Sequence, residues 1–218
     1  MASSPITDHF DRLVGLASAH YAVYPAGGDG PSGMVHRVRP TPGRPWTTLY
    51  TDGMSARALP DPDDGLPLPD RHVELVVGCP KGWFSDDDGG PVDMSGSDEG
   101  DWLVELVQWM MELPWRIDYP VYAGLVLPNG DPPEPYADSV PFCAALLAPV
   151  ASLPEDAQDI EIEDGPTVRL LSLVLLDAAE LSFAQTSGVE ALYERLDAAG
   201  VFERVDPERE SSVDVAEG

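Results

Sequence analysis

Positive charge is what this sequence has least of. Lys81 is its one lysine, and with eleven arginines it faces 39 aspartates and glutamates, for a formal net charge of −27. No basic patch of any size can be assembled from that stock, so nucleic acid and anionic membrane surfaces are excluded as partners. Long apolar runs are missing too; none approaches the ~18 residues of a membrane span. Cysteine is limited to Cys79 and Cys143. With no signal-like segment at the start, that points to a cytoplasmic protein with reduced, buried thiols. What is present is a core: 43% of residues are hydrophobic and five are tryptophan, too apolar a chain for a disordered acidic tail. No repeat and no boundary between two cores is visible. A single domain over residues 1–210, with a disordered acidic tail at 211–218, is the economical reading.

The charge is unevenly spread. Residues 1–60 hold four acids and five arginines, whereas 61–153 hold 18 acids against three bases and 154–218 hold 17 against four. Residues 61–101 are densest, with 12 acids and two bases. Adaptation to salt would acidify the whole surface, so the asymmetry favours an acidic face that meets something basic.

Along the chain, Phe10, Leu13, Val14, Ala17 and Tyr21 recur at helical spacing and predict an N-terminal helix over 6–24, capped by Thr7 or Asp8. A Gly/Pro-rich connection follows, interrupted at most by a short strand at 34–38. Strands are expected at 46–51, 72–79, 121–127, 142–147 and 160–162. The most apolar run, 168–176, should be a central strand. Trp102, Leu106, Trp109 and Leu113 predict a middle helix over 101–113, stopped by Pro114. Asp177 with Glu180, and Ser187 with Glu190, stand at capping-box spacing and open two C-terminal helices, the last closed by Gly200. Residues 84–101, with seven acids and no base, read as a mobile, solvated loop. The fold class is α+β: one domain whose central mixed or antiparallel sheet is flanked by an N-terminal helix, a middle helix and two C-terminal helices.

Chemistry is hard to find. Asp86-Asp87-Asp88 does not fit a calcium loop, because the twelfth position from Asp86 is Ser97. No Cys-x-x-Cys or His-Glu-x-x-His exists to hold zinc. Gly-x-Ser-x-Gly and the glycine-rich phosphate loops are absent. His72 and Cys79 lie seven apart on one strand, which puts them on opposite faces. His9, His20 and His36 are accounted for by helix-surface polarity. Thus no catalytic, metal or cofactor site is expected. A carboxylate-dependent hydrolase is the alternative, and it requires two inward-facing acids about 5–10 Å apart.

Several local patterns follow one another in a telling order. They are Thr51-Asp52-Gly53-Met54-Ser55, Val73-Glu74-Leu75-Val76, and the Trp102…Leu106…Trp109 helix. Ala123-Gly124-Leu125-Val126-Leu127, Phe142…Leu146-Leu147 and Leu173-Val174-Leu175-Leu176…Glu180-Leu181 come next. Gly188…Leu192 and Val205-Asp206-Pro207-Glu208-Arg209-Glu210-Ser211 end the series. Over residues 46–212 this order resembles the suppressor-of-fused family, in its compact bacterial single-domain form. The resemblance implies a non-enzymatic protein-binding domain: animal members sequester a transcription factor, and bacterial members occur among immunity proteins that neutralise toxins. The acidic 61–218 region adds that the protein partner should be basic, a candidate toxin domain, and the chain is expected to be a monomer or weak homodimer. Candidate partner-binding residues are Asp52, Met54, Glu74, Asp86, Asp87, Asp88, Asp206 and Arg209. Their residue-level reading is structural. Asp52-Gly53 supplies a turn. Glu74, inside an apolar strand, faces outward or is a buried acceptor, with Arg57, Arg71 and Arg209 as partners by chemistry. Asp206 and Arg209 pair with each other or clamp the tail onto the sheet. A salt-adapted domain whose acids serve only solubility is the remaining alternative.

Overall fold

A computed structural model describes residues 3–25, 30–61, 70–89 and 98–213. Eight strands form one mixed sheet: β1 (Ala17–Val23), β2 (Gly33–Val38), β3 (Trp46–Asp52), β4 (Val73–Pro80), β5 (Val126–Pro128), β6 (Ala144–Pro149), β7 (Asp159–Glu161) and β8 (Thr167–Leu176). The order across it is β1-β2-β3-β4-β8-β6-β5. Among the described strands only the β4–β8 pair is parallel, with Val73 opposite Arg169 and Val76 opposite Ser172. β6 runs along β8 as far as Pro149 opposite Leu171, and β7 resumes the pairing at Asp159 opposite Arg169. As expected from its composition, β8 is central.

Alternation along the strands divides the core. Leu75, Val77, Cys79, Leu171, Leu173, Leu175, Ala145 and Leu147 face α2 (Asp101–Ile117). On the opposite face, Tyr50, Val76, Val168 and Leu170 pack on Ile6, Phe10 and Val14 of the α1 region. There too, Ala144, Leu146, Val174 and Leu176 pack on Leu181, Ala184, Leu192 and Leu196 of α3 (Ala178–Ser187) and α4 (Val189–Ala198). Among the described residues, the sheet thus carries one α-helix on one face and three on the other. Both cysteines are buried and free.

Four sequence expectations are corrected. The helix expected over 6–24 is α1 (Pro5–Leu13) followed by edge strand β1. Gly15 takes φ 135°, outside any helix, and the register then switches from period 3.6 to period 2. The N-cap is Ser4, whose Oγ accepts from Thr7 N at 3.0 Å, rather than Thr7 or Asp8. Pro114 does not stop α2. The helix runs on to Ile117 and ends at Asp118, in the left-handed region at φ 52°. Proline lacks an N–H but its carbonyl still accepts, here from Tyr119 N at 3.0 Å. The second expected capping box also gives way: α4 starts at Gly188 without a side-chain cap. Of the expected acidic tail, Ser212 is buried and packed, while residues 214–218 lie outside the described residues.

Candidate functional site

Among the described residues five carboxylates are buried (Glu74, Asp86, Asp87, Glu180 and Glu203), and each is engaged by the chain's own donors. Glu74 sits on β4 beneath the turn after β3. Its Oε1 accepts from Gly53 N at 2.9 Å, Ser55 N at 2.9 Å and Ser55 Oγ at 2.7 Å, and its Oε2 from Thr51 Oγ1 at 2.5 Å. Thr51 Oγ1 in turn accepts from Leu75 N at 2.7 Å. Gly53 is needed in this turn: its φ is 120°, and an added Cβ would lie 2.8 Å from both Gly33 Cα and Ser32 O. Met54 is buried beside it. The arginine partners expected for Glu74 are replaced by backbone N–H groups and small hydroxyls. Burial pushes its pKa up, against the lowering effect of these hydrogen bonds.

The loop expected to be solvated over 84–101 is anchored at its start. Asp86 is fully buried and pairs with Arg37 and, at 2.6 Å, with Arg39. The Arg37 guanidinium also lies over the Phe84 ring at 4.2 Å. Burial opposes the charge of Asp86, but the hydrogen bonds from Arg39 and Arg37 outweigh it and hold its carboxyl below the usual range. Asp87 accepts from Thr47 Oγ1 and Gly82 N, each at 2.9 Å. Only Asp88 of the three projects outward, paired with exposed Lys81 at 2.6 Å.

At the C-terminus, Arg209 grips Glu180 through both carboxylate oxygens, at 2.6 and 2.5 Å, and donates to Leu175 O at 2.9 Å. Ser212 N adds a bond to Glu180 Oε1 at 2.9 Å. Burial works against ionised Glu180, yet these donors keep its pKa low. Arg209 therefore clamps the tail onto the sheet. The expected side-chain pair with Asp206 does not form, because Asp206 Oδ1 accepts from Glu208 N at 3.1 Å instead. Glu203 fixes the preceding stretch by accepting from Ser152 N at 2.8 Å and Ala151 N at 3.2 Å.

Among the candidate residues, Glu74, Asp86, Asp87 and Met54 thus face inward, while Asp88 is exposed and Asp52, Asp206 and Arg209 are half-buried. Asp52 belongs to a cluster that the sequence reading missed. It accepts from Ser4 Oγ and from Thr7 Oγ1 at 2.8 Å, and lies 3.8 Å from His36 Nε2. His20 and His36 meet Nδ1 to Nδ1 at 2.9 Å, as opposed residues of β1 and β2. His9, far from being a surface residue, is buried with Nε2 2.9 Å from Ala157 O. Only strand pairing could have revealed the His20–His36 contact.

Among the described residues no group of three or more His, Cys, Asp or Glu is arranged to hold a metal ion. No described helix is long and apolar enough to cross a membrane. Three surface pockets each contain one carboxylate, Asp197, Asp118 or Glu105, so none has the paired acids of a glycosidase-type cleft.

The model of the suppressor of fused protein family matches residues 31–210, and the chain belongs to that family. The match begins at residue 31, inside the Gly/Pro-rich stretch and ahead of the 46–212 span of the resemblance. Among solved structures, a suppressor-of-fused homologue from Neisseria gonorrhoeae is 16% identical, with a TM-score of 0.60 over 95% of this chain and 94% of that one. A chain of the Sufu–Fu complex is 14% identical, with a TM-score of 0.63 over 97% and 92%. Suppressor of Fused from Drosophila is 14% identical, with a TM-score of 0.62 over 97% of this chain but 51% of its own. At these identities the shared property is the fold. The search of curated proteins found no match.

Proposed function

We propose that this chain is a non-enzymatic binding protein that captures a basic protein partner, in the manner of an immunity protein neutralising a toxin domain. One observation carries the reading: among the described residues, 19 carboxylates are exposed against five bases. Arg37, Arg39, Arg44, Arg71, Arg169, Arg195 and Arg209 are buried or half-buried, leaving Arg12, Arg57, Lys81, Arg116 and Arg204 exposed among the bases. Lys81 and Arg116 are moreover paired with Asp88 and Glu112. The accessible surface is therefore strongly acidic, and a basic protein is the partner it would steer. Family membership supports the same reading, since a relative of this fold is known in a Sufu–Fu complex. The partner-contact residues fall to the accessible candidates, Asp88, Asp52 and Asp206, with Arg209 holding the tail that presents Asp206.

Affinity purification of the tagged protein from its native cells, washed at low salt, tests this. A basic protein should be retained and then released between roughly 0.05 and 0.5 M salt. If its gene adjoins this one, co-expression should suppress that protein's toxicity. Recovery of no protein partner, or a complex indifferent to salt, would count against capture by charge.

A further inference from the structure

Trp102, Glu105, Leu106 and Trp109 lie on one face of α2, at the i, i+3, i+4 and i+7 spacing that aligns side chains. They meet the turn Pro128-Asn129-Gly130 and Tyr136 around an open pocket of about 310 Å³. The rings of Trp102 and Tyr136 are nearly parallel, 13° apart with centroids at 6.0 Å, and Trp83 backs Trp102 at 5.7 Å. Trp109 is 42% exposed, the one tryptophan among the large hydrophobics left open to solvent. Glu105 is exposed and has no ion-pair partner among the described residues. Asn129 donates through Nδ2 to Glu134 O at 2.8 Å, which leaves its Oδ1 as an acceptor. Exposed Asp131, Glu134 and Asp138 follow the pocket's turn.

The cation that such a pocket calls for does not come from its own walls. Residues 82–115 and 117–168, which supply every lining residue, contain no lysine or arginine. An aromatic wall with an unpaired carboxylate at its lip is complementary to a cation, because the ring faces carry the negative end of the quadrupole. An apolar anchor would bury Glu105 without compensation. We propose that this pocket takes an arginine side chain of a basic protein partner. Its planar guanidinium would stack on the Trp109 indole while its forked N–H groups reach the Glu105 carboxylate and Asn129 Oδ1. A lysine ammonium can satisfy the charge but not the stack. This deepens the proposed function and rests on its basic partner.

Three blocked tripeptides test it, differing only at the middle residue: arginine, its neutral isostere citrulline, and lysine. Each is titrated into the full-length protein, followed by tryptophan fluorescence and by the indole N–H resonances. Saturable shifts at Trp102 and Trp109 are expected for arginine, about tenfold weaker binding for citrulline, and an intermediate affinity for lysine. Trp109→Ala and Glu105→Gln, both at exposed positions, should each weaken the arginine peptide by about five- to tenfold with an unchanged thermal melt. Equal binding of citrulline and arginine, or shifts confined to other tryptophans, would overturn the site. The basic partner itself separates the two readings. If it binds Trp109→Ala and wild type equally, the pocket is wrong and capture stands. If no basic protein binds but the arginine peptide does, capture is wrong and the pocket stands.

Discussion

At the scale of single residues, the buried carboxylates are the joints of this fold, and two kinds of joint behave differently. Asp86 and Glu180 are answered by guanidinium groups and held in their charged form. Glu74 is answered only by neutral donors, so burial raises its pKa. Replacing Glu74 by Leu leaves two backbone N–H groups and the Ser55 and Thr51 hydroxyls without their acceptor. A loss of about 3 kcal/mol in urea unfolding is expected, against about 1 kcal/mol for Glu74→Gln, which keeps an oxygen at the Oε1 position. The pH dependences should run in opposite directions. Glu180 lies below its ordinary 4.5 when folded, so its contribution is complete above pH 4.5 and is lost as pH falls through the lowered value. The stability gap between wild type and Glu180→Gln should therefore close in acid. Glu74 lies above 4.5 when folded, so the folded state takes up its proton first and gains stability on acidification toward 4.5. The gap between wild type and Glu74→Gln should then widen as pH falls toward 4.5. Urea midpoints of the three proteins across a pH series check both.

At the scale of elements, the C-terminal segment acts as a strap. Gly78 exchanges backbone bonds with Glu203 and Val205, each at 2.8 Å, and Arg209 joins the end of β8 to the first turn of α3. Arg209→Lys keeps the charge but cannot reproduce the two-pronged grip on Glu180. It should cost about 2 kcal/mol, and Arg209→Ala about 3 to 5 kcal/mol because Glu180 stays buried and unpaired. Hydrogen exchange should show faster opening in the strap and the first turn of α3, with β1, β2 and β3 unchanged. Elements of this kind differ in how openly the sequence declares them. The β8–α3 joint was legible because ten apolar-rich strand residues run straight into Asp177 and Glu180, which form the expected capping box. The α1–β1 joint was not, because Phe10, Val14, Ala17 and Tyr21 satisfy a helical stripe while Gly15 breaks it by conformation. In the site, Glu74 stood out as an acid in an apolar strand. Its partners were misassigned because four short-range donors, converging from a folded turn, leave no signature in composition. Asp86 was hidden for the converse reason: its run of acids looks solvated, and the arginines that bury it lie 49 and 47 positions away.

At the scale of the whole molecule, the net charge of −27 stays largely on the surface after folding. Among the described residues five acids and Arg37 are buried, and 19 carboxylates are exposed against five bases. Such a surface acts at a distance: it accelerates encounter with a basic partner and contributes less once short-range contacts have formed. The association rate constant of the captured protein should accordingly fall by at least about tenfold between 0.05 and 0.5 M salt, while its dissociation rate constant changes by less than about threefold. Stopped-flow or surface-based kinetics across that range measures both. A domain acidified only for life in salt behaves otherwise, since its self-repulsion is unscreened in dilute buffer and it unfolds there. Here the buried pairs Arg37–Asp86 and Arg209–Glu180 are shielded from salt by the protein itself, and the first 60 residues carry four acids against five arginines. The thermal melt should therefore remain cooperative in dilute buffer, with association the salt-sensitive property and folding the salt-tolerant one. The reverse pattern, a chain that melts out at low salt and binds no basic protein at any salt, would assign the charge to solubility alone.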